Sequence, residues 1–375
     1  MIRYWHWLAG QKKDNQPKTY TVRGTSSNVN GTEYFYLKYS DNPSSTYQEV
    51  VSVDSMGNWE FSYTDKYIIS LDNFASYNTN ILSIDFSDVD NIAINNAFNG
   101  SFNGCSNLNS IIFPNHKFNG IGNRSFAGCR SLTSIVIPNV TTKIDVFAFY
   151  NSGITSITLP NSLTIIGESA FQNCTNLTSI TIPNSVTTIE KQAFTNCYSL
   201  GMVVLPNSLT TISESAFQNC TNLTSITIPN SVTTIEKQAF NNAGITSITI
   251  PNSVTTMGEY TFKDCKNLSS ATISTSITEL PIGVFNGSGL ISITIPDSVL
   301  ILGERAFLDC DKLETAYIGS GITTIKSLTF TDCVELVITI PSTITTIAGA
   351  SFKNVKHVYY NGTATGAPWD SKAYN

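Results

Sequence analysis

Residues 177–197 read Leu-Thr-Ser-Ile-Thr-Ile-Pro-Asn-Ser-Val-Thr-Thr-Ile-Glu-Lys-Gln-Ala-Phe-Thr-Asn-Cys. Ile180 and Ile182 alternate with small polar residues, and this period of two predicts a short β-strand with the isoleucines facing inward. Pro183 ends the strand, because proline has no amide hydrogen to donate to a sheet ladder. A second short extended segment follows, with Val186 and Ile189 pointing inward. Residues 190–194 are predicted to form one helical or 3₁₀ turn that places Phe194 in the core.

This unit recurs along most of the chain. The phenylalanines equivalent to Phe194 are spaced by 22 or 23 residues throughout, and the segments 168–194 and 214–240 are identical over 27 residues. A fixed period of this length indicates a repeat architecture. No unit can bury its isoleucines and its phenylalanine alone, so stacked units must share one continuous core. The repeat phenylalanines are Phe126, Phe149, Phe171, Phe194, Phe217, Phe240, Phe262, Phe285, Phe307, Phe330 and Phe352.

The repeats therefore predict a β-dominated leucine-rich-repeat solenoid over residues 81–357, with short helical or 3₁₀ turns. About twelve turns, at ~4.8 Å per strand step, give a rod on the order of 60 Å long. Residues 66–80 are expected to form a connector and N-terminal cap. Residues 358–375 are expected to form the C-terminal cap, in which Pro368 and Trp369 fold over the end of the core.

The unit resembles the BspA-like leucine-rich repeats. The resemblance rests on Leu-x-x-Ile-x-Ile-Pro-x-Ser-Val-x-x-Ile followed by Ala-Phe-x-x-Cys, as in residues 177–197 and 223–240, and it extends over residues 81–360. It implies a solenoid used for adhesion to host proteins, cells or other microbes, and it implies no catalysis. Members of this family on bacterial surfaces usually carry an export signal.

Residues 18–65 have a different rhythm, in which apolar and polar residues alternate over several short segments. Asp54-Ser-Met-Gly-Asn58 is a turn signal between two of these segments, which predicts a β-hairpin. The run Val53-Asp-Ser-Met-Gly-Asn-Trp-Glu-Phe61 is similar to bacterial immunoglobulin-like modules. We therefore expect a small all-β, sandwich-like domain ahead of the solenoid.

Residues 1–17 are interpreted as an aromatic anchor peptide and linker. An exposed pair of tryptophans would promote aggregation if nothing covered it. We expect the peptide to dock into a partner or a second copy, and packing on its own β-module is an equally weighted alternative. The segment lacks the long apolar core and small-residue cleavage site of a signal peptide. The candidate anchor residues are Tyr4, Trp5, Trp7 and Leu8.

Composition argues against several classes of function. The net charge of −6 and the 13% of charged residues do not suit binding to nucleic-acid phosphates or to an anionic membrane. No apolar run has the roughly 20 residues needed to span a bilayer. The three histidines, His6, His116 and His357, are too far apart to converge, and no catalytic motif occurs. We expect no enzyme activity, no cofactor and no metal site.

The eight cysteines all follow a phenylalanine by three residues: Phe102 of a less regular first turn for Cys105, and a repeat phenylalanine for the others. The same slot holds Ser152, Ala243 or Ser288 in other units. This predicts a small, half-buried structural position in which cysteine behaves as a small hydrophobe. A disulfide between stacked neighbours is a conceivable alternative. The cysteines are Cys105, Cys129, Cys174, Cys197, Cys220, Cys265, Cys310 and Cys333.

The outward strand positions form two columns of serine and threonine. Three interpretations apply to them: a solvated sheet face, a recognition face for a glycan or protein, and a regular threonine array that binds ice. Apolar and aromatic residues interrupt the columns, and such side chains anchor interfaces. The candidate partner contacts are Val136, Met202, Val204 and Tyr317; Val337 is a further interruption.

Three functional hypotheses follow. The first is a non-enzymatic binding or adhesion protein for a protein or glycan on a host or other cell surface, displayed on a bacterial envelope or a phage particle. There it would be anchored through residues 1–16. The second is a structural spacer, decoration or fibre component of a virion without its own ligand. The third is a cytoplasmic interaction scaffold. Assembly into a homo-oligomer is compatible with all three.

Overall fold

The computed structural model describes residues 19–39, 44–64, 68–71, 73–89, 98–114 and 120–360. They form a β-solenoid of about 12 turns, which confirms the predicted leucine-rich-repeat architecture. Most turns contribute two short strands and a series of tight turns, whereas the turns around Ile135, Ile157 and Ile226 have no regular strand in the first column. The anchor residues at 1–17, His6, His116 and most of the predicted C-terminal cap, including Trp369, lie outside the described residues.

The first column of parallel strands carries the Ser-Ile-Thr motif. Successive strands pair in register, so Ile180 lies beside Val203 and Ile293 beside Ala316. The last six of these strands form one continuous parallel sheet. The strands are β7 (Ser110–Ile112), β11 (Ser179–Thr181), β13 (Met202–Val204), β16 (Ser247–Thr249), β18 (Ser270–Thr272), β20 (Ser292–Ile295), β22 (Thr315–Ile318), β24 (Val337–Ile340) and β26 (His357–Tyr360).

The second column follows the proline turn, as the sequence predicts. Its isoleucines also stack in register, with Ile166 beside both Ile144 and Ile189, and all three are buried. The strands are β8 (Gly120–Ile121), β9 (Lys143–Ile144), β10 (Ile165–Ile166), β12 (Thr188–Ile189), β14 (Thr211–Ile212), β15 (Thr234–Ile235), β17 (Thr256–Met257), β19 (Glu279–Leu280), β21 (Ile301–Leu302), β23 (Thr324–Ile325) and β25 (Thr346–Ile347).

The expected helical or 3₁₀ turn is wrong, since none of the described residues is helical. The amides of Gln192, Phe194 and Asn196 each donate to a carbonyl of the next turn at 2.9 Å. An α-helix needs those amides for its own ladder. Gln192 and Asn196 also have φ values of 58° and 61°, which a right-handed helix cannot accommodate. The segment is therefore a chain of tight turns bonded sideways to its neighbour.

The repeat phenylalanines lie in the core, as predicted, and their rings form a stack at the centre of the solenoid. The stack runs from Phe102 to Phe352, with ring centroids 5.2 to 5.6 Å apart and nearly parallel planes. Phe171 and Phe194, for example, lie 5.4 Å apart with an interplanar angle of 3°. These rings and the stacked isoleucines belong to a single apolar core.

The N-terminal strands are built into the end of the solenoid, so a separate sandwich-like domain is not confirmed. β1 pairs with β4 and with β6, and β6 pairs with β7 of the first column. Phe74 joins the two parts, because its ring lies 4.8 Å from Phe35 and 6.2 Å from Phe102. The strands are β1 (Thr19–Ser26), β2 (Thr32–Tyr39), β3 (Tyr47–Ser52), β4 (Asn58–Thr64), β5 (Ile68–Ser70) and β6 (Ile81–Asp85).

The hairpin predicted around residues 54–58 is also wrong. β3 pairs with β2, whereas β4 pairs with β1 in the other sheet. The turn itself forms, and the Asp54 carboxylate accepts hydrogen bonds from the amides of Met56 and Asn58, both at 2.8 Å. The chain therefore crosses from one sheet to the other at this turn, and Val53 and Trp59 both contribute to the core between the sheets.

Replacing a stacked ring should destabilise the solenoid strongly. Phe217→Ala leaves a cavity between Phe194 and Phe240, whose rings lie 5.5 and 5.6 Å from it. We expect a loss of about 3 to 5 kcal/mol in the free energy of unfolding, measured by urea denaturation followed by far-ultraviolet circular dichroism. The control is Phe147→Ala, a half-buried ring outside the stack, which should lose about 1 kcal/mol. Equal losses in both variants would contradict a stack that stabilises the fold.

Candidate functional site

The outward side chains of the first column form one surface, which we call the strand face. Its serine and threonine hydroxyls project to solvent at regular intervals, because inward isoleucines alternate with them. Ser270 lies beside Ser292, and Thr249 beside Thr272. The exposed or half-exposed members are Ser156, Thr158, Ser179, Thr181, Ser225, Thr227, Ser247, Thr249, Ser270, Thr272, Ser292 and Thr294.

The four candidate contact residues all lie on the strand face and are exposed. Their exposed fractions are 82% for Val136, 55% for Met202, 47% for Val204 and 60% for Tyr317. Only Met202 and Val204 are close together, on β13. Val136 lies three strand steps before Val204 and Tyr317 five steps after it, which is roughly 14 Å and 24 Å at ~4.8 Å per step. The candidates thus share a face but form no single cluster.

Several exposed apolar residues were not among the predicted contacts. Ile112 and Tyr359 also lie on the strand face, in the column of Thr181 and Tyr317. Leu300 and Ile301 are exposed on the second column, where other turns carry two threonines. The sequence contains a signal for each of these residues, because each replaces the threonine that other units carry at the same outward position.

Two grooves open on the strand face. One, of about 640 Å³, is bounded by β18, β20 and the side chain of Tyr317, and serine and threonine side chains, apolar side chains and Asp297 line it. The other, of about 610 Å³, is bounded by β1, β4, β6 and β7 at the N-terminal end. In this second groove Arg23 forms ion pairs with Asp85 and Asp88. The strand face is therefore charged at its N-terminal end and rich in hydroxyls further along.

The sequence matches a known repeat family over most of its length. Residues 52–153, 142–268 and 233–359 match the family described as BspA type leucine rich repeat region, with six copies. The chain belongs to the BspA-type leucine-rich-repeat family. Proteins of this type are generally non-enzymatic repeat proteins.

Several solved structures of leucine-rich-repeat proteins are similar to this chain. A leucine-rich cell surface protein from Faecalibacterium prausnitzii is 27% identical, with 67% of this chain and 85% of that chain covered and a TM-score of 0.47. A leucine-rich repeat protein from Bacteroides ovatus is 24% identical, with 77% and 88% covered and a TM-score of 0.49. One from Eubacterium ventriosum is 21% identical, with 90% and 99% covered and a TM-score of 0.49. No curated protein matches the chain.

The cysteines of this BspA-type solenoid are structural, and they are fully buried rather than half-buried. All eight are free thiols. Their sulfur atoms donate to backbone carbonyls of the preceding turn, as from Cys197 to Phe171 at 3.1 Å and from Cys220 to Phe194 at 3.3 Å. Burial raises the pKa of the Cys174 thiol to about 11. Such thiols are poor nucleophiles, because the thiolate is the reactive form.

A ladder of asparagines runs along a turn of the same solenoid. The amide nitrogen of Asn196 donates to the side-chain oxygen of Asn173 at 2.8 Å, and Asn219 donates to Asn196 at 2.7 Å. Asparagine tolerates the positive φ of this position. Further along, Asp309 and Asp332 occupy the column. The pKa of Asp309 is raised, mainly by its burial and secondly by the negative charge of Asp332. This column stabilises the turns and lies off the strand face.

The described part of the chain offers little arrangement for catalysis. Of the three histidines only His357 lies within it, on the strand face next to Tyr359 with ring centroids 6.2 Å apart. No group of three or more histidine, cysteine, aspartate or glutamate side chains in this part is placed to hold a metal ion. The same residues include no helix with the length and hydropathy needed to cross a membrane.

The buried thiols should be protected from modification in the folded protein. We expect fewer than one thiol to react with Ellman's reagent at pH 8 in native buffer, because burial raises the thiol pKa, and all eight to react in guanidinium. Tyr198→Cys is the matched control, since it introduces a cysteine at an exposed site next to Cys197 and should react promptly. Prompt reaction of several native thiols would show that the turns open readily.

Proposed function

We propose that the chain is a non-enzymatic binding or adhesion protein that presents the strand face to a ligand on a host or other cell surface. The observation that supports this proposal is the placement of both grooves and all four candidate contact residues on that one face. Display on a bacterial envelope or on a phage particle belongs to the same proposal. Membership of the BspA-type family is consistent with such a role.

The strand face has physical properties that suit recognition. Met202, Val204 and Tyr317 are large apolar side chains held on a rigid sheet, so little side-chain and backbone freedom would be lost on binding. Methionine and tyrosine contribute strongly at interfaces, because both bury a large area and methionine adapts its shape. The surrounding hydroxyl groups both donate and accept hydrogen bonds. A ligand would therefore meet apolar anchors within a polar, adaptable surface.

Restoring the repeat consensus at the candidate contacts should weaken binding without affecting the fold. We expect Met202→Ser with Val204→Thr, and separately Tyr317→Thr, to reduce binding of the labelled full-length protein to epithelial or bacterial cells by about tenfold or more. Flow cytometry measures the binding and thermal unfolding checks the fold. Val334→Thr, an exposed apolar residue in a turn away from the strand face, should bind like the unmodified protein.

Two results would contradict the proposal. If the unmodified protein binds no cell type, a structural spacer or virion component without its own ligand becomes the better explanation. If both consensus variants bind as well as Val334→Thr, the strand face is not the contact surface.

We further propose that residues 1–16 anchor the protein, through Tyr4, Trp5, Trp7 and Leu8, to an envelope or a particle. The two tryptophans in this short segment support the proposal, because exposed aromatic side chains favour burial in a partner. Deleting residues 1–16 should move the protein from the envelope or particle fraction to the supernatant, as judged by immunoblotting. Thermal unfolding should stay unchanged, and retention of the deleted form in the particulate fraction would rule out this anchor.

A further inference from the structure

The C-terminal part of the strand face carries a row of aromatic rings. Tyr317 on β22 and Tyr359 on β26 occupy the same outward column, and Thr339 on β24 lies between them. The two tyrosines are 60% and 56% exposed. They are two strand steps apart, which is roughly 10 Å along the solenoid axis. We call these three residues the tyrosine row.

The outward strand positions around the tyrosine row hold no acidic residue, lysine or arginine. Each of the six strands β16, β18, β20, β22, β24 and β26 has two outward positions, and none of these holds Asp, Glu, Lys or Arg. His357 occupies one of them, next to Tyr359, and Asp297 lines the adjoining groove. The nearby Lys356–Glu335 ion pair, at 2.9 Å, lies just ahead of β26 and next to the end of β24. An ionic ligand would find no carboxylate, lysine or arginine between the two tyrosine rings and would lose its hydration there without compensation. The surface therefore suits an uncharged ligand.

Hydroxyl groups surround the aromatic rings. Thr294 lies beside Tyr317 in the sheet, and Thr339 lies beside Tyr359. Tyr317 also forms one wall of the 640 Å³ groove. Ser270, Thr272 and Ser292 line the part of this groove that lies beyond Thr294. Flat apolar faces thus alternate with groups that donate and accept hydrogen bonds. A chain of pyranose sugars has the complementary pattern, with apolar C–H faces flanked by hydroxyls.

We propose that the tyrosine row and the adjoining groove bind an uncharged polysaccharide that lies along the solenoid axis. Sugar faces stack on Tyr317 and Tyr359, and sugar hydroxyls exchange hydrogen bonds with Thr294 and Thr339. The proposal rests on the proposed binding function and names its ligand class. The parallel sheet holds both rings at a fixed spacing, so the ligand must be long enough to reach both rings.

A protein ligand fits this part of the face less well. Leucine-rich-repeat surface proteins generally bind proteins. The hot-spot residues of protein interfaces, however, lie in desolvated pockets enclosed by surrounding contacts. Tyr317 instead stands at the edge of an open groove, with a threonine hydroxyl on each side. A protein contact through Met202 and Val204, about 24 Å away, remains compatible with this arrangement.

A glycan array with neutral and acidic oligosaccharides tests the proposal with the full-length protein. We expect binding to neutral glycans of several sugars, and a loss of roughly tenfold or more in Tyr317→Ala and in Tyr359→Ala. Tyr317→Phe and Tyr359→Phe retain the ring and should stay within about threefold of the unmodified protein. Tyr198→Ala is the matched control, because Tyr198 is a 45% exposed tyrosine in a turn away from the strand face.

The proposal is overturned if no neutral glycan binds, if only acidic glycans bind, or if the alanine variants match Tyr198→Ala. Cell binding separates this failure from that of the proposed function. Binding that resists periodate oxidation of cell-surface sugars, but is abolished by protease, would indicate a protein ligand and leave the proposed function intact. Absence of both glycan and cell binding would overturn both proposals.

Discussion

Hydrogen bonding and ring stacking between successive turns hold this protein together. Each turn directs alternate amides of its Ala-Phe segment to the next turn and lays its phenylalanine on the ring before it. The stability of such an array resides mainly in the interfaces between repeats. One turn alone has neither a hydrogen-bond partner nor a closed core, so the turns must stack in register. The N-terminal strands satisfy the same requirement at one end, because β1 pairs with β6 and β6 pairs with β7.

This difference between inward and outward residues allows the sequence of the strand face to vary. Because inward residues carry the stability, outward residues change with little effect on folding. The family can therefore place Met202, Tyr317 or Tyr359 on a face that otherwise carries serine and threonine. The charged N-terminal groove and the tyrosine row lie on the same strand face but in different sheets, so one scaffold presents two chemically different regions. Variation at a few outward positions is sufficient to change what the face recognises.

The sequence predicts much of the fold because a period of two separates inward from outward residues in every unit. The prediction fails at Glu190-Lys-Gln-Ala-Phe194. These residues are good helix formers, but their segment forms hydrogen bonds with the next turn instead, and the sequence of a single unit does not reveal those bonds. It also fails at residues 54–58, since a turn signal does not show whether the flanking strands pair with each other or cross between two sheets. For the candidate contacts, periodicity places Val136 and Tyr317 outward. The wide separation of these two residues, and the proximity of Tyr359 to Tyr317, become clear only from the three-dimensional structure.

The identical segments 168–194 and 214–240 show how such a protein changes its length. Their structural environments also match, since Cys174 and Cys220 both bond to the phenylalanine carbonyl of an earlier turn. Gain or loss of one two-turn block would leave both ends of the solenoid in place. Each such event would shift the distal tyrosines relative to the N-terminal cap by roughly 10 Å. The gene can thus adjust the protein's reach in fixed increments while the recognition chemistry at its tip is inherited intact.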